Sequence, residues 1–402
     1  MAQLGLDDVV QARTLLDDVL VTTPLLWSRV LSEKVGGPVH LKCENLQRAG
    51  SFKVRGAYVR IARLSEAERA GGVVAASAGN HAQGVALAAG LLGGKSTVFM
   101  PVGAALPKVA ATRGYGADVV LEGEIVDETL AAAQRHAEAT GSVFIHPFDH
   151  PDVVAGQATL GMEIVEQCPD VGTIVLGVGG GGLAAGVALA AKALRPDVRV
   201  IGVQAANAAA YPVSLEAGRP VAIGPSPTMA DGIAVGRPGD ITFPLVSELV
   251  DNVVTVSEES LSRALLLCLE RAKQVVEPAG AAGVAALLDH PRAFPPPVVA
   301  VLSGGNIDPL LMLKVLRHGM AAAGRYLPLR CRLPDRPGAL ATLLRELAEM
   351  GVNVLDVIHG RTSARLSLDE AEVFLQMETR GPDHCDEVLG RLRARGYTLT
   401  FT

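Results

Sequence analysis

A lysine at the start of a helix, a run of four glycines and a polar strand end are where this 402-residue chain carries chemistry. The lysine is Lys53, in the stretch LKCENLQRAGSFKVRGAY at 41–58. Val39 to Lys42 reads as a short strand, Glu44 to Gly50 is polar and turn-prone, and Ser51 is a candidate helix cap. Lys53 then falls in the first helical turn, where a cation meets the unfavourable end of the helix dipole. Arg48 and Arg55 stand close by in sequence and are expected to raise the local positive potential. Both effects favour the neutral amine, the form that attacks an aldehyde or takes up a proton. A lysine and two arginines on an ordinary wet surface would read the same in this window.

Four other segments are not explained by packing alone. Ser77-Ala78-Gly79-Asn80-His81 sits where a strand becomes a helix, so its free N–H groups make a seat for a carboxylate or phosphate. Asn80 as a simple cap beside an exposed His81 is the plainer alternative. Gly179-Gly180-Gly181-Gly182-Leu183 follows a strand and opens a helix. Four glycines there cost backbone entropy and add no side-chain packing, and a nest of N–H groups around an anion is the usual compensation. The run is neither GxxxxGK[ST] nor GxGxxG, which favours a phosphate without a nucleotide. Ser303-Gly304-Gly305-Asn306 ends another strand, and its hydroxyl suits either a ring nitrogen or a helix cap. Glu277-Pro278-Ala279-Gly280 puts a carboxylate near a helix start, which is ordinary helix electrostatics.

The elements that must position these groups alternate. After a helix at Leu6 to Leu20 come strands near 38–43, 71–77, 96–101, 117–123 and 143–148, with helices near 52–62, 79–93, 108–115 and 125–140. The second half repeats the pattern: helices Gln157 to Gln167 and Gly182 to Leu194, and strands 171–179 and 198–204. An irregular stretch at 205–250 follows. Helices Glu258 to Val275 and Gly280 to Leu288, a strand at 297–305 and a helix Leu310 to Gly319 complete it. Short β-branched strands between helices describe open, largely parallel α/β sheets. Past a linker at 321–326 the rhythm becomes βαββαβ over 327–402, a small ferredoxin-like module with an antiparallel sheet.

An activated lysine, an anion nest and a polar strand end together suit pyridoxal phosphate, which needs a Schiff-base lysine, a phosphate cradle and a partner for its pyridine nitrogen. Open α/β sheets place such groups at strand carboxyl ends. At this point the motifs GSFKVRGA (50–57), SAGNHAQGVA (77–86), GGGGL (179–183), TMADGIAV (228–235), VEPAGAA (276–282) and SGGN (303–306) stand in series. In that order they resemble the serine/threonine dehydratase family of type II, tryptophan-synthase-β-like pyridoxal-phosphate enzymes, and within it the threonine ammonia-lyases. The C-terminal module resembles an ACT domain, with Asp335-Arg336-Pro337-Gly338 at its first strand-to-helix turn.

The resemblance implies a catalytic domain over 1–320, with a small subdomain at about 50–145 and a large one from 1–49 and 146–320. It implies that Lys53 forms the Schiff base and later removes the Cα proton. Phe52 would pack beside the ring, Asn80 bond to its 3′ oxygen, Gly179 to Leu183 hold the phosphate and Ser303 face the pyridine nitrogen. Ser77, Ala78, Gly79, Asn80 and His81 would receive the substrate carboxylate. The implied reaction converts L-threonine to 2-oxobutanoate and ammonia, and L-serine to pyruvate. Asp335, Arg336, Pro337 and Gly338 would lie near an amino-acid effector such as isoleucine, and a homodimer or homotetramer is implied. Racemising relatives have a second serine where this chain has Ala78, and a cation-binding glutamate where it has Gln204. No metal is therefore expected, and elimination is favoured over racemisation. Serine dehydration, serine racemisation and a catalytically silent amino-acid sensor are the competing readings.

Composition bounds the rest. Hydrophobic residues make up 49% of the chain but aromatics only 3%, so its cores must be built from Ala, Val and Leu. A net charge of -6 argues against a nucleic-acid surface. Cys43, Cys168, Cys268, Cys331 and Cys385 lack CxxC spacing, as expected for a reducing compartment without structural zinc. The start carries no basic-then-apolar leader and the apolar runs are short, so a cytoplasmic protein without membrane spans is expected.

Overall fold

Short β-branched runs bracketed by helices need both faces covered, and residues 73–144 obtain this by closing into a parallel sheet. A computed structural model describes residues 4–224, 227–361 and 366–401, the side chains at 126 and 127 left aside. In it the strands Asp118–Leu121, Ser96–Met100, Val73–Ala76 and Val143–Phe144 lie side by side in that order, every pair parallel. Val73–Ala76 is buried along its whole length, as an inner strand should be. The last strand stops at Phe144 rather than running to 148. The His146 ring accepts the N–H groups of Phe148 and Asp149 and turns the chain out of the sheet.

A second sheet has six strands: Leu25–Trp27, Val39–Lys42, Val298–Val301, Thr173–Gly177, Arg199–Ala205 and Asn252–Val256. Only the first, an edge strand, is antiparallel. The edge strand, the helix Arg29–Val35 after it and the strand Asn252–Val256 were not legible in the sequence. The stretch 205–250 holds two helices, Ala210–Ala217 and Thr242–Leu249. Helix Glu258–Leu267 ends short of 275: a π-turn at Cys268–Ala272 and Lys273 in the left-handed region (φ 58°) break it. The core is aliphatic and small, as the composition requires. Helix Gly182–Leu194 buries Ala184, Ala185, Val187, Ala188 and Ala191 against the sheet residues Ile174 and Leu176. Small side chains let backbones approach closely, which the site exploits.

The chain divides into two compact units after Met312, inside helix Pro309–Ala322 and ahead of the 321–326 stretch. In the C-terminal unit the strands Asn353–Gly360, Glu370–Glu378, Tyr326–Pro334 and Thr398–Phe401 form one antiparallel sheet in that order. Helices Ala339–Glu349 and Pro382–Ala394 supply the connections of a βαββαβ module. The period-2 pattern sets its core: Leu329, Cys331, Val373 and Leu375 alternate inward to meet Leu343, Leu347, Val388 and Leu392. Among the described residues, no helix is long and apolar enough to cross a membrane.

Candidate active site

Four strands of the two sheets lead, at their carboxyl ends, to four of the five segments singled out by sequence. Val39–Lys42 leads to Lys53, Val73–Ala76 to 77–81, Thr173–Gly177 to the glycine run and Val298–Val301 to 303–306. They meet around a cavity of about 550 Å³ lined by Phe52, Lys53, Ser77 to His81, Gly179 to Leu183 and Ser303. All the catalytic, cofactor and carboxylate residues named from sequence are thus brought together. Asp335 to Gly338 belong to the other unit, as an exposed turn in which Asp335 pairs with Arg361 at 3.0 Å.

The lysine segment is zipped to the serine segment. Phe52 N donates to Ser303 O at 3.2 Å, Gly305 N to Gly50 O at 2.9 Å, and Ser51 bridges to Gly304 as in an antiparallel ladder. This fixes the start of helix Lys53–Ala62, while Ser51 Oγ accepts the Lys53 N–H at 3.4 Å. Lys53 Nζ donates to the Pro147 carbonyl at 2.9 Å. Burial, opposed by the charge of Glu277, brings its pKa down to about 8. The arginines do not cause this. Arg55 is wholly buried and turned away, its guanidinium paired with Glu44 at 2.7 and 2.8 Å and with Glu163 at 2.7 Å. Arg48 donates to the carbonyl of Val19. We therefore expect apo-protein to capture pyridoxal phosphate at a rate that rises with pH through a midpoint near 8, not near the ordinary lysine value of 10.5. Stopped-flow absorbance across pH checks this; a midpoint above 10 would contradict it.

The glycine run is held rigidly from behind. The Gly180 carbonyl accepts from Thr242 Oγ1 at 2.6 Å, Tyr211 OH at 3.2 Å and Gly239 N at 3.3 Å. Gly181 is the N-cap of helix Gly182–Leu194 at φ +104°, and a Cβ there would run into the Tyr211 hydroxyl. A Cβ on Gly180 would overlap the Phe148 ring. With its carbonyl side committed, the run offers the cavity the unpaired N–H groups of a helix start. Such a helix start suits an anion such as phosphate, and a Cβ at Gly180 or Gly181 would clash with the ring or hydroxyl behind it.

On the opposite side, helix Asn80–Leu91 begins at the 77–81 segment and leaves the same kind of N–H groups toward the cavity. His81 is buried, with Nε2 bonded to the Ile145 carbonyl at 2.9 Å. Burial and the nearby Lys53 push its pKa down to about 3, so it stays neutral. What it can lend a carboxylate is its main-chain N–H. Lys108 Nζ, from helix Leu106–Gly114, pairs with Asp231 at 2.8 Å, and both line the cavity.

Sequence reasoning missed His146 to Asp149. The segment supplies the Pro147 carbonyl to Lys53 and the Phe148 ring behind the glycines. Asp149 anchors it by accepting the N–H groups of Asp240, Ile241 and Thr242 at 2.9–3.1 Å. No spacing in VFIHPF distinguished it from a strand. Glu277, read as ordinary helix electrostatics, is buried in the cavity wall with Oε1 2.6 Å from Asn80 Nδ2. Burial, with Asp231 near, raises its pKa to about 7 against the pull of Lys108, Asn80 and Lys53.

Comparison with known proteins gives this arrangement its family. The model described as "Pyridoxal-phosphate dependent enzyme" matches residues 16–304, and that of the ACT domain matches 329–396. The chain belongs to the pyridoxal-phosphate dependent enzyme family. It is 49% identical over 396 residues to L-threonine ammonia-lyase of Thermotoga maritima, covering 98% of this chain and 99% of the relative. With catabolic L-threonine dehydratase of Escherichia coli K12 it shares 43% over 308 residues, 76% of this chain and 94% of the relative. Among solved structures, a T.th. threonine deaminase superposes with a TM-score of 0.72 at 44% identity, covering 76% of this chain and 99% of that one. Maize serine racemase superposes with 0.74 at 33%, covering 79% and 98%.

The residues present fit the family's cofactor. A lysine amine, a glycine run backed too closely for a Cβ at Gly180 or Gly181, and a buried hydroxyl at Ser303 surround one cavity. Both ends of the Gln204 amide are bonded within the protein: Nε2 donates to Val178 O at 3.2 Å and Oε1 accepts from Tyr211 N at 2.8 Å. Among the described residues no group of three or more His, Cys, Asp or Glu side chains is arranged to hold a metal.

Proposed function

We propose that this protein deaminates L-threonine to 2-oxobutanoate and ammonia, and L-serine to pyruvate, with an amino-acid effector acting through its ACT domain. The observation that carries this is the Lys53 amine, of lowered pKa, in one cavity with the 77–81 helix start and the glycine cradle. When bound, pyridoxal phosphate supplies the electron sink that makes a substrate Cα–H acidic. Lys53 would hold the cofactor, and Gly179 to Leu183 would hold its phosphate. Ser303, a hydroxyl rather than a carboxylate, would meet the ring nitrogen without giving it full positive charge.

Ser77 N–H is bonded to Phe99 O and Gly79 N–H to Ser77 Oγ. The N–H groups of Ala78, Asn80 and His81 are therefore those that would orient the substrate by its carboxylate and place Cα against Lys53. An amine with a pKa near 8 takes a proton and returns it at neutral pH. Loss of the Cα proton and the β-hydroxyl leaves an enamine, which tautomerises and hydrolyses to the oxo acid and ammonia. Ala78 offers no acid or base on the other face of the substrate, which supports elimination over racemisation despite the likeness to a serine racemase. Threonine and serine turnover assays, with the product identified, test this reading.

The effector reading rests on the ACT unit alone. Gly338 caps helix Ala339–Glu349 at φ +90°, with no atom of the described residues close to where a Cβ would lie. Gly338→Asp would place a carboxylate in this turn at a backbone cost of about 1–2 kcal/mol. It is expected to weaken inhibition by isoleucine several-fold while cofactor binding stays at the wild-type level. Isoleucine titration of the folded variant checks this, and an unchanged curve would remove the DRPG turn from the effector site. A homodimer or homotetramer completes the proposal, and a cytoplasmic location is supported by five free cysteines.

A further inference from the structure

An asparagine amide has no fixed sense of its own; either end can face a ligand until its neighbours decide. At Asn80 both neighbours decide. Asn306 Nδ2 donates to the Ala49 carbonyl at 2.7 Å, and the same amino group donates to Asn80 Oδ1 at 2.8 Å. Glu277 Oε1 accepts from Asn80 Nδ2 at 2.6 Å. The Asn80 oxygen is thus committed to Asn306, and its second amino proton is what remains for the cavity.

The two neighbours are themselves held. Glu277 N donates to Gly304 O at 3.0 Å, and the carboxylate is only 4% exposed. A Cβ on Gly304 would strike that carboxylate, so the serine segment closes over it. Asn306 lies so close to Gly50 that the lysine segment leaves its amide little room to turn. The charged groups facing Glu277 are Lys53, Lys108 and Asp231.

We propose that Glu277 and Asn306 are positioning residues that lock Asn80 as a hydrogen-bond donor toward the ring oxygen of bound pyridoxal phosphate. This goes further than, and rests on, the reading of the cavity as that cofactor's site. A donor aimed at an oxygen stabilises its anionic form. The lysine-bound cofactor absorbs in the visible when this oxygen is anionic and in the near ultraviolet when it is protonated. The ratio of the two bands therefore reports the lock without any turnover.

The test records this ratio against pH in holo-protein of the wild type, Asn306→Asp, Glu277→Leu and Asn80→Ala, with bound cofactor and melting temperature measured in parallel. Asn306→Asp sets an acceptor against the Asn80 oxygen. It should lower the visible-to-ultraviolet ratio about fivefold, the shift expected for one lost hydrogen bond. Glu277→Leu, which leaves the Asn80 amino group without its acceptor, should lower the ratio in the same direction. Neither substitution should change the ratio further in an Asn80→Ala background. Wild-type band ratios in variants that bind cofactor stoichiometrically would overturn the proposal, as would equal shifts with and without Asn80. If Asn306→Asp does not fold, Glu277→Leu with its Asn80→Ala double decides alone. A wild-type protein that gains no visible band with pyridoxal phosphate would instead defeat the cofactor reading itself.

Discussion

Lys53→Ala is expected to lower threonine turnover by at least about four orders of magnitude while the protein remains folded. The side chain makes one hydrogen bond, to the Pro147 carbonyl, so its removal leaves the main-chain ladder between 50–52 and 303–305 intact. What is lost is both the covalent hold on the cofactor and the base placed against Cα. Gly84 of helix Asn80–Leu91 packs on the Lys53 backbone, which keeps the position rigid whatever side chain stands there. Ammonia release, the cofactor's visible band and the melting temperature should be measured together. Turnover within tenfold of wild type would show that another group does the chemistry.

Gly180→Ala should weaken pyridoxal-phosphate binding about 10- to 100-fold. The added methyl group overlaps the Phe148 ring, and overpacking of this kind costs about 1–3 kcal/mol. The ring cannot simply step aside. It packs edge-on against His146 with centroids 4.7 Å apart, and the segment that carries it also presents the Pro147 carbonyl to Lys53. Relief must therefore come from moving the phosphate cradle or the lysine's partner. Phe148→Ala in the same chain should recover most of the lost affinity by vacating that space. Cofactor titration of the two apo-variants checks both statements. Wild-type affinity in Gly180→Ala would mean that the cradle is looser than its packing indicates.

The parts of the site that sequence reveals are those whose chemistry is local. Lys53 in a helix's first turn, the 77–81 strand-to-helix turn and the four glycines each carry their meaning in a few consecutive residues, because helix starts expose N–H groups wherever they occur. The open parallel sheets and the antiparallel C-terminal module were legible for the same reason, through period and strand length. Arg55 shows where this stops. It lies two positions from Lys53 in sequence, but residues i and i+2 of a helix face different directions, and its guanidinium meets Glu44 and Glu163 instead. Glu277 was discounted because nothing in EPAG tells that Asn80 lies 2.6 Å away across the cavity. His146 to Phe148 reads as strand in VFIHPF because the turn depends on the orientation of one ring, His146, which captures N–H groups two and three residues on. Partners distant in sequence became visible only once the sheets placed their strand ends together.

The measurement that tests the central claim most directly supplies L-threonine and L-serine to purified holo-protein. It identifies the oxo acids released while the cofactor spectrum is followed. The account predicts 2-oxobutanoate with one equivalent of ammonia from threonine, pyruvate from serine, and neither product from Lys53→Ala. Bound cofactor with no ammonia released from either amino acid would contradict it. The appearance of D-serine in that case would reassign the cavity to racemisation.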